Sequence, residues 1–187
     1  MSKVTLKPST DFTPCPVVLV TSGVGDKANI ITIAWTGIVC SEPPAVAIAV
    51  RPCRHSHALL KETLEFGVNF LTETILHAAD LCGTLSGRNG DKFVASGLTR
   101  EAGEKISVPL IAECPLALEC RTKQTLTLGS HDLFIGEIVA VRADPAILDA
   151  GGHVDYGRIV AVASAGGNYW AADRPLKPTG FAKRDSK

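Results

Sequence analysis

Asn29, Thr32 and Trp35 stand three residues apart in an otherwise apolar run, Asn29-Ile-Ile-Thr-Ile-Ala-Trp35, which continues through Cys40-Ser41 to Glu42-Pro43-Pro44. On a strand, backbone N–H and C=O groups with Asn and Thr side chains suit the polar edge of a ring cofactor, and Trp suits its flat face. Packing alone accounts for the same residues, with Trp35 as core and Asn29 as turn. A second group, Arg51-Pro-Cys-Arg54-His55-Ser56-His57, lies between a strand end and a helix start. Two Arg, two His and a Ser hydroxyl there meet unpaired helix N–H groups, which is the chemistry of a phosphate site. A solvated basic loop with Ser56 or Arg54 as an ordinary cap fits the same residues.

Two further groups carry weaker signals. The Gly-rich stretch Cys82-Gly-Thr-Leu-Ser86-Gly87-Arg88-Asn-Gly90-Asp91-Lys92-Phe93 could close Arg88 and Lys92 over the same anion, or merely connect two helices with both cations solvated. His131 opens the run His131-Asp132-Leu-Phe-Ile-Gly136-Glu137, where Asp132 and Glu137 could set its tautomer. A surface histidine with no role fits as well. No metal is expected: His55-x-His57 has no carboxylate or Cys beside it, and the cysteines at 15, 40, 53, 82, 114 and 120 form no C-x-x-C pair. Several of them sit in apolar runs and read as small core residues of a reduced compartment.

The elements that must position these residues are mostly strands. Apolar, β-branched runs predict strands over 16–22, 29–41, 45–51, 66–71, 116–128, 131–142 and 158–164, with a hairpin turn at Gly129-Ser130. Helical spacing predicts helices over 55–64, with Leu59 and Leu60 facing inward, over 72–83 and over 91–97. From Trp170 onward the chain is polar and Pro-rich, and residues 173–187 read as a C-terminal arm. Many strands and few helices indicate a β-barrel with helical additions rather than a doubly wound α/β sheet.

Gly23-x-Gly25-x-x-Ala28 imitates a dinucleotide fingerprint, but that motif needs a helix to start at its second glycine. Here Asn29-Ile-Ile-Thr-Ile follows, which favours strand, so the stretch reads as a hairpin turn. The 187 residues are 45% hydrophobic and 20% charged, with formal net charge zero, a globular balance in one domain that disfavours nucleic acid or an anionic membrane as partner. No apolar run is long enough to span a membrane, and the N-terminus lacks the apolar core of a signal peptide, so a cytoplasmic protein is expected.

In order along the chain, Pro16-Val-Val-Leu-Val-Thr-Ser, Asn29…Thr32-x-Ala34-Trp35, Cys40-Ser-x-Pro-Pro44, Phe66-Gly-Val-Asn69, Ala79-Asp-Leu-Cys-Gly83…Ser86-Gly87…Asp91-Lys92-Phe93, His131-x-Leu-Phe-Ile-Gly136-Glu and Gly166-Gly-x-Tyr169-Trp170 together resemble the flavin reductase-like family of FMN-binding split barrels, its flavoredoxin branch most. The resemblance implies a mainly β fold, a six-stranded Greek-key split barrel with peripheral helices, usually a homodimer holding one FMN per subunit near the interface. Carried over, Asn29 and Trp35 would contact the isoalloxazine and ribityl side, with Thr32 and Ala34 between them. Ser56 would bind the phosphate, with Arg51, Arg54 and His55 beside it, and Lys92 would add charge. His131 would lie near the ring as the one candidate catalytic residue, and Ser164 beside the flavin. The implied activity moves electrons from NAD(P)H or a redox partner through FMN to flavin, ferric iron or a protein acceptor. A non-catalytic flavin-binding or regulatory module is the alternative. Lys92→Ala and Ser56→Ala are expected to weaken flavin binding without unfolding the chain.

Overall fold

Apolar alternation along the chain produces strands β1 (Cys15–Pro16), β2 (Val18–Ser22), β3 (Asn29–Ile33), β4 (Thr36–Ser41), β5 (Pro44–Val50), β6 (Glu65–Phe70), β7 (Arg100–Glu101), β8 (Leu110–Ile111), β9 (Leu116–Leu128), β10 (His131–Ala143), β11 (Ala161–Ala165) and β12 (Asn168–Ala172). Helices α1 (His55–Thr63), α2 (Leu76–Thr84) and α3 (Lys92–Ser96) lie among them. The computed structural model describes residues 2–184; the last three residues of the expected arm lie outside the described residues.

Seven strands form one antiparallel sheet in the order β3-β2-β6-β9-β10-β5-β4. The expectation of a six-stranded barrel is corrected: there are seven, and the sheet is not closed. The difference comes from the run 29–41, which is two strands. The chain bends at Ala34-Trp35, so β3 and β4 lie at opposite edges of the sheet. No Gly or Pro marks that corner; tertiary packing makes it. Ala49 N–H donates to the Trp35 C=O at 2.9 Å and carries the β4–β5 ladder up to the corner. β4 is exposed almost throughout, so Cys40 is a surface residue and not the core residue expected.

β2 is buried on both faces, which is why it reads as a continuous apolar stretch. Its alternate residues serve two cores. Val18 and Val20 join Ile31, Ile48, Phe66 and Phe134 within the curl of the sheet. Leu19 joins Ile30, Ala79, Cys82 and Phe93 beneath α2 and α3. Leu59 and Leu60 of α1 are buried, as their spacing predicts. Gly136 sits at a bulge in β10, where a Cβ would stand 2.5 Å from the Phe66 ring. The ring fills the space a side chain would need, so glycine is required there.

The Gly23–Ala28 turn joins β2 to β3 through a 3-10 turn, as expected for a hairpin and not a nucleotide loop. A second sheet, β1-β11-β12, takes the chain's C-terminal strands, and β12 runs to Ala172, so the polar stretch from Trp170 begins as strand before the expected arm. Among the described residues no helix is long and apolar enough to cross a membrane.

Candidate functional site

Asn29 opens β3, buried, and its Nδ2 donates to the Ser56 Oγ at 2.7 Å. Ser56 lies in the first turn of α1 and is 1% exposed. Arg54 holds the N-cap position of α1 without a side-chain capping bond, so no side chain caps the first-turn N–H groups. Lys92 opens α3. Its buried ammonium donates to the carbonyls of Ile30 at 2.8 Å and Cys82 at 2.7 Å. Arg88 donates to the Cys53 C=O at 3.0 Å, tying the Gly-rich loop to the loop before α1.

Asn29, Arg54, His55, Ser56, Arg88 and Lys92 thus line one hollow of about 130 Å³, and none of its lining residues is acidic. Burial, then Arg88 and Lys92, push the His55 pKa below its ordinary value, so the imidazole is neutral at pH 7 and the charge comes from Arg and Lys. Gly87 makes the closure possible. A Cβ there would stand 2.2 Å from Asn29 Oδ1 and 2.6 Å from His55 Cδ2. The set matches a phosphate: fixed cations, a hydroxyl and a positive helix end.

A second hollow of about 200 Å³ continues from the first, sharing Ile31 and Arg54 with it, and adds Thr32, Ala34, Trp35, Arg51 and His131. The Trp35 and His131 rings stand 4.7 Å apart at 39°. Trp35 is 44% exposed, so it serves this hollow rather than the core. His131 Nδ1 meets Ser130 Oγ at 2.9 Å, and burial followed by Arg51 lowers its pKa. Lys92 takes the Ile30 carbonyl, so that group points away from β2. By strand alternation the Thr32 N–H and C=O point the same way, along a free sheet edge. The Thr32 hydroxyl is engaged elsewhere, donating to the Ala79 C=O at 2.5 Å. On the other flank, a hollow of about 320 Å³ shares Thr32 and Ala34 and adds Ser164, Tyr169 and Asp80, with the Tyr169 hydroxyl donating to Asp80 at 3.0 Å.

The candidate cofactor residues therefore gather along β3: Asn29, Arg54, His55, Ser56 and Lys92 at one end, Trp35, Arg51 and His131 at the other, Thr32 and Ala34 between, and Ser164 in the adjoining hollow; His57, Asp132 and Glu137 line none of these hollows. Two readings need correction. Asp132 and Glu137 do not set the His131 tautomer: Asp132 accepts from His57 at 2.8 Å, Glu137 pairs with Lys123 at 2.6 Å, and Ser130 is the partner of His131. Lys92 is not solvated, as the connector alternative had it: it is buried, holds two carbonyls and still lines the hollow. Arg88 belongs with the site, and its place in the Gly-rich loop is the signal that finds it. Asp80 and Tyr169 carry no spacing that would have joined them, since 89 residues separate them.

A family model described as a flavin reductase like domain matches residues 10–159, ending before Ser164 and Tyr169. Among solved structures, a flavoredoxin of Desulfovibrio vulgaris (Miyazaki F) is 31% identical, with a TM-score of 0.89 over 97% of this chain and 100% of that one. An FMN-binding protein of Thermus thermophilus, with bound 1-cyclohex-2-enone, is 27% identical with a TM-score of 0.80, covering 95% of this chain and 99% of that one. Among curated relatives, an NADH:riboflavin 5'-phosphate oxidoreductase of Streptomyces pristinaespiralis is 28% identical over 134 residues, 71% of this chain and 73% of that protein.

Proposed function

The chain belongs to the flavin reductase-like family, and from that premise we propose that it is an oxidoreductase that holds FMN along β3 and passes electrons from NAD(P)H or a redox partner to flavin, ferric iron or a protein acceptor. The observation that carries the reading is the continuity of two hollows. One end is cationic, hydroxyl-bearing and free of carboxylates; the other sets the Trp35 and His131 rings among apolar residues and Arg51; Ile31 and Arg54 belong to both. One compact anion pocket suits the single phosphate of FMN better than the diphosphate of FAD. The FMN-binding protein of Thermus thermophilus and the riboflavin 5'-phosphate oxidoreductase support the same choice.

Bound there, the flavin would supply hydride acceptance and electron transfer. The chain's own part is to bind, orient and tune. Arg54, Arg88, Ser56 and the first turn of α1 would hold the phosphate, with Lys92 fixing the β3 edge from behind. The outward backbone groups of Thr32 would meet polar positions of the ring, and Trp35 and His131 would wall one side. With its pKa lowered by burial and Arg51, His131 is neutral at pH 7 and offers a hydrogen bond rather than a charge. Ser164 would stand on the opposite flank.

The test is direct. Purified protein should release FMN on denaturation, identified by chromatography, and anaerobic titration with NADH or NADPH should bleach it. A dominant FAD peak overturns the cofactor choice. Bound FMN that neither nucleotide bleaches, but a reduced redox protein does, makes the chain a carrier. Bound FMN that nothing bleaches supports the non-catalytic module, and no flavin at all removes the proposal.

A further inference from the structure

His57 and Asp132 are both buried, and His57 Nε2 lies 2.8 Å from Asp132 Oδ2. Neither residue lines the groove along β3, yet each is the chain neighbour of one that does. His57 follows Ser56, which holds Asn29 at the start of β3. Asp132 follows His131, whose ring packs on Trp35 just past the end of β3. The contacts form a closed circuit: Asn29 to Ser56, along α1 to His57, across to Asp132, along β10 to His131, and back to Trp35. The edge strand that forms the floor of the groove is braced at both ends, and one hydrogen bond joins the two braces.

Bulk packing does not require that bond to be polar. The His57 ring meets Phe134, a member of the apolar cluster within the curl of the sheet, edge-on at 5.4 Å. The other Asp132 carboxylate oxygen is buried and makes no hydrogen bond of good geometry, with the Thr127 hydroxyl facing the carboxylate. Groups facing the pair include Thr127 on β9 and Lys61 on α1.

We infer that His57 and Asp132 are positioning residues: their bond fixes the spacing between the phosphate end and the ring end of the groove, so that a ligand spanning both ends is bound with both engaged. This rests on the flavin reading proposed above. Riboflavin, which lacks the phosphate, needs only the ring end and should be indifferent to the bond. FMN should not.

The experiment measures dissociation constants for FMN and riboflavin, by flavin fluorescence, in wild type and variants stripped of flavin, with melting temperature alongside. The double variant His57→Leu with Asp132→Leu removes both polar partners and leaves no orphaned carboxylate, a replacement that can be nearly neutral in stability. It should fold, bind riboflavin as wild type does, and lose about tenfold of its preference for FMN, the size expected for one charge-assisted bond. His57→Gln, which keeps a donor for Asp132, should restore most of that preference. A double variant with wild-type melting and an unchanged FMN-to-riboflavin ratio overturns the inference. So does equal weakening of both flavins, which is what a merely structural pair would give. A wild type that binds neither flavin overturns the functional reading itself, and is distinguishable from both.

Discussion

Lys92 carries two of its three ammonium hydrogens to the carbonyls of Ile30 and Cys82, deep beneath the groove. In sequence it is a lysine at the mouth of a Gly-rich loop, and nothing local distinguishes a solvated cation from a buried one. Its burial adds a stability cost to the weaker flavin binding expected from sequence. Lys92→Ala leaves two buried carbonyls unpaired, so we expect it to lower stability by roughly 1–3 kcal/mol, seen as a lower urea midpoint at unchanged slope. Arg88→Ala is the contrasting case, because Arg88 is exposed. It should shift stability by no more than about 0.5 kcal/mol while weakening FMN about tenfold in a flavin-binding titration. Equal stability losses in the two variants would mean that the buried bonds of Lys92 do not hold. Asn29 and Ser56 each stood out by chemistry, in separate groups of the sequence. The bond between them, across 27 residues, was not legible.

Elements were legible where one local rule governs them. Asp91 and Gly97 bracket α3 as their residue types predict: the Asp91 carboxylate accepts from the N–H groups of Phe93 and Val94, and Gly97 takes the left-handed conformation at φ 71°. The 13-residue hairpin strands β9 and β10 turn at Gly129-Ser130, as read from sequence. The bend at Ala34-Trp35 was not legible, because it arises where a curled sheet must pass its chain from one edge to the other. Helix α3 also yields a pH prediction. The Arg100 hydrogen bond, above all, holds the Asp91 carboxyl below its ordinary value. A depressed carboxylate stabilises fully above its unfolded pKa of about 3.9, and that contribution fades as pH falls through the lower folded value. Asn caps nearly as well as Asp, so Asp91→Asn isolates the charge. Wild type should exceed the variant in melting temperature at neutral pH, and the gap should close below about pH 4. A gap constant with pH would remove the Arg100 pairing from the account.

At the scale of the molecule, the sheet leaves apolar surface uncovered near the groove. Trp35, Ile38, Val39 and Leu128 are 44%, 65%, 54% and 60% exposed, and β4 is an unpaired edge. Edges and patches of this kind are normally covered by a partner, and a second copy of the chain is the partner we propose. Because Trp35 belongs to both the patch and the groove, FMN should strengthen the dimer. Sedimentation velocity at low concentration, with and without FMN, checks this. A monomer holding FMN tightly would show the groove complete in one chain. The bond from Ala49 N–H to Trp35 C=O has a further use. It stands at the corner where the sheet's two edges meet, and Ala49 itself lines the ring end of the groove. Its amide proton is therefore a single-residue clock for that corner: deuterium should replace it at the rate the corner opens, and ligand or partner seated against Trp35 should slow the replacement while leaving unchanged the amides of the β7–β8 pair, which lines none of the three hollows.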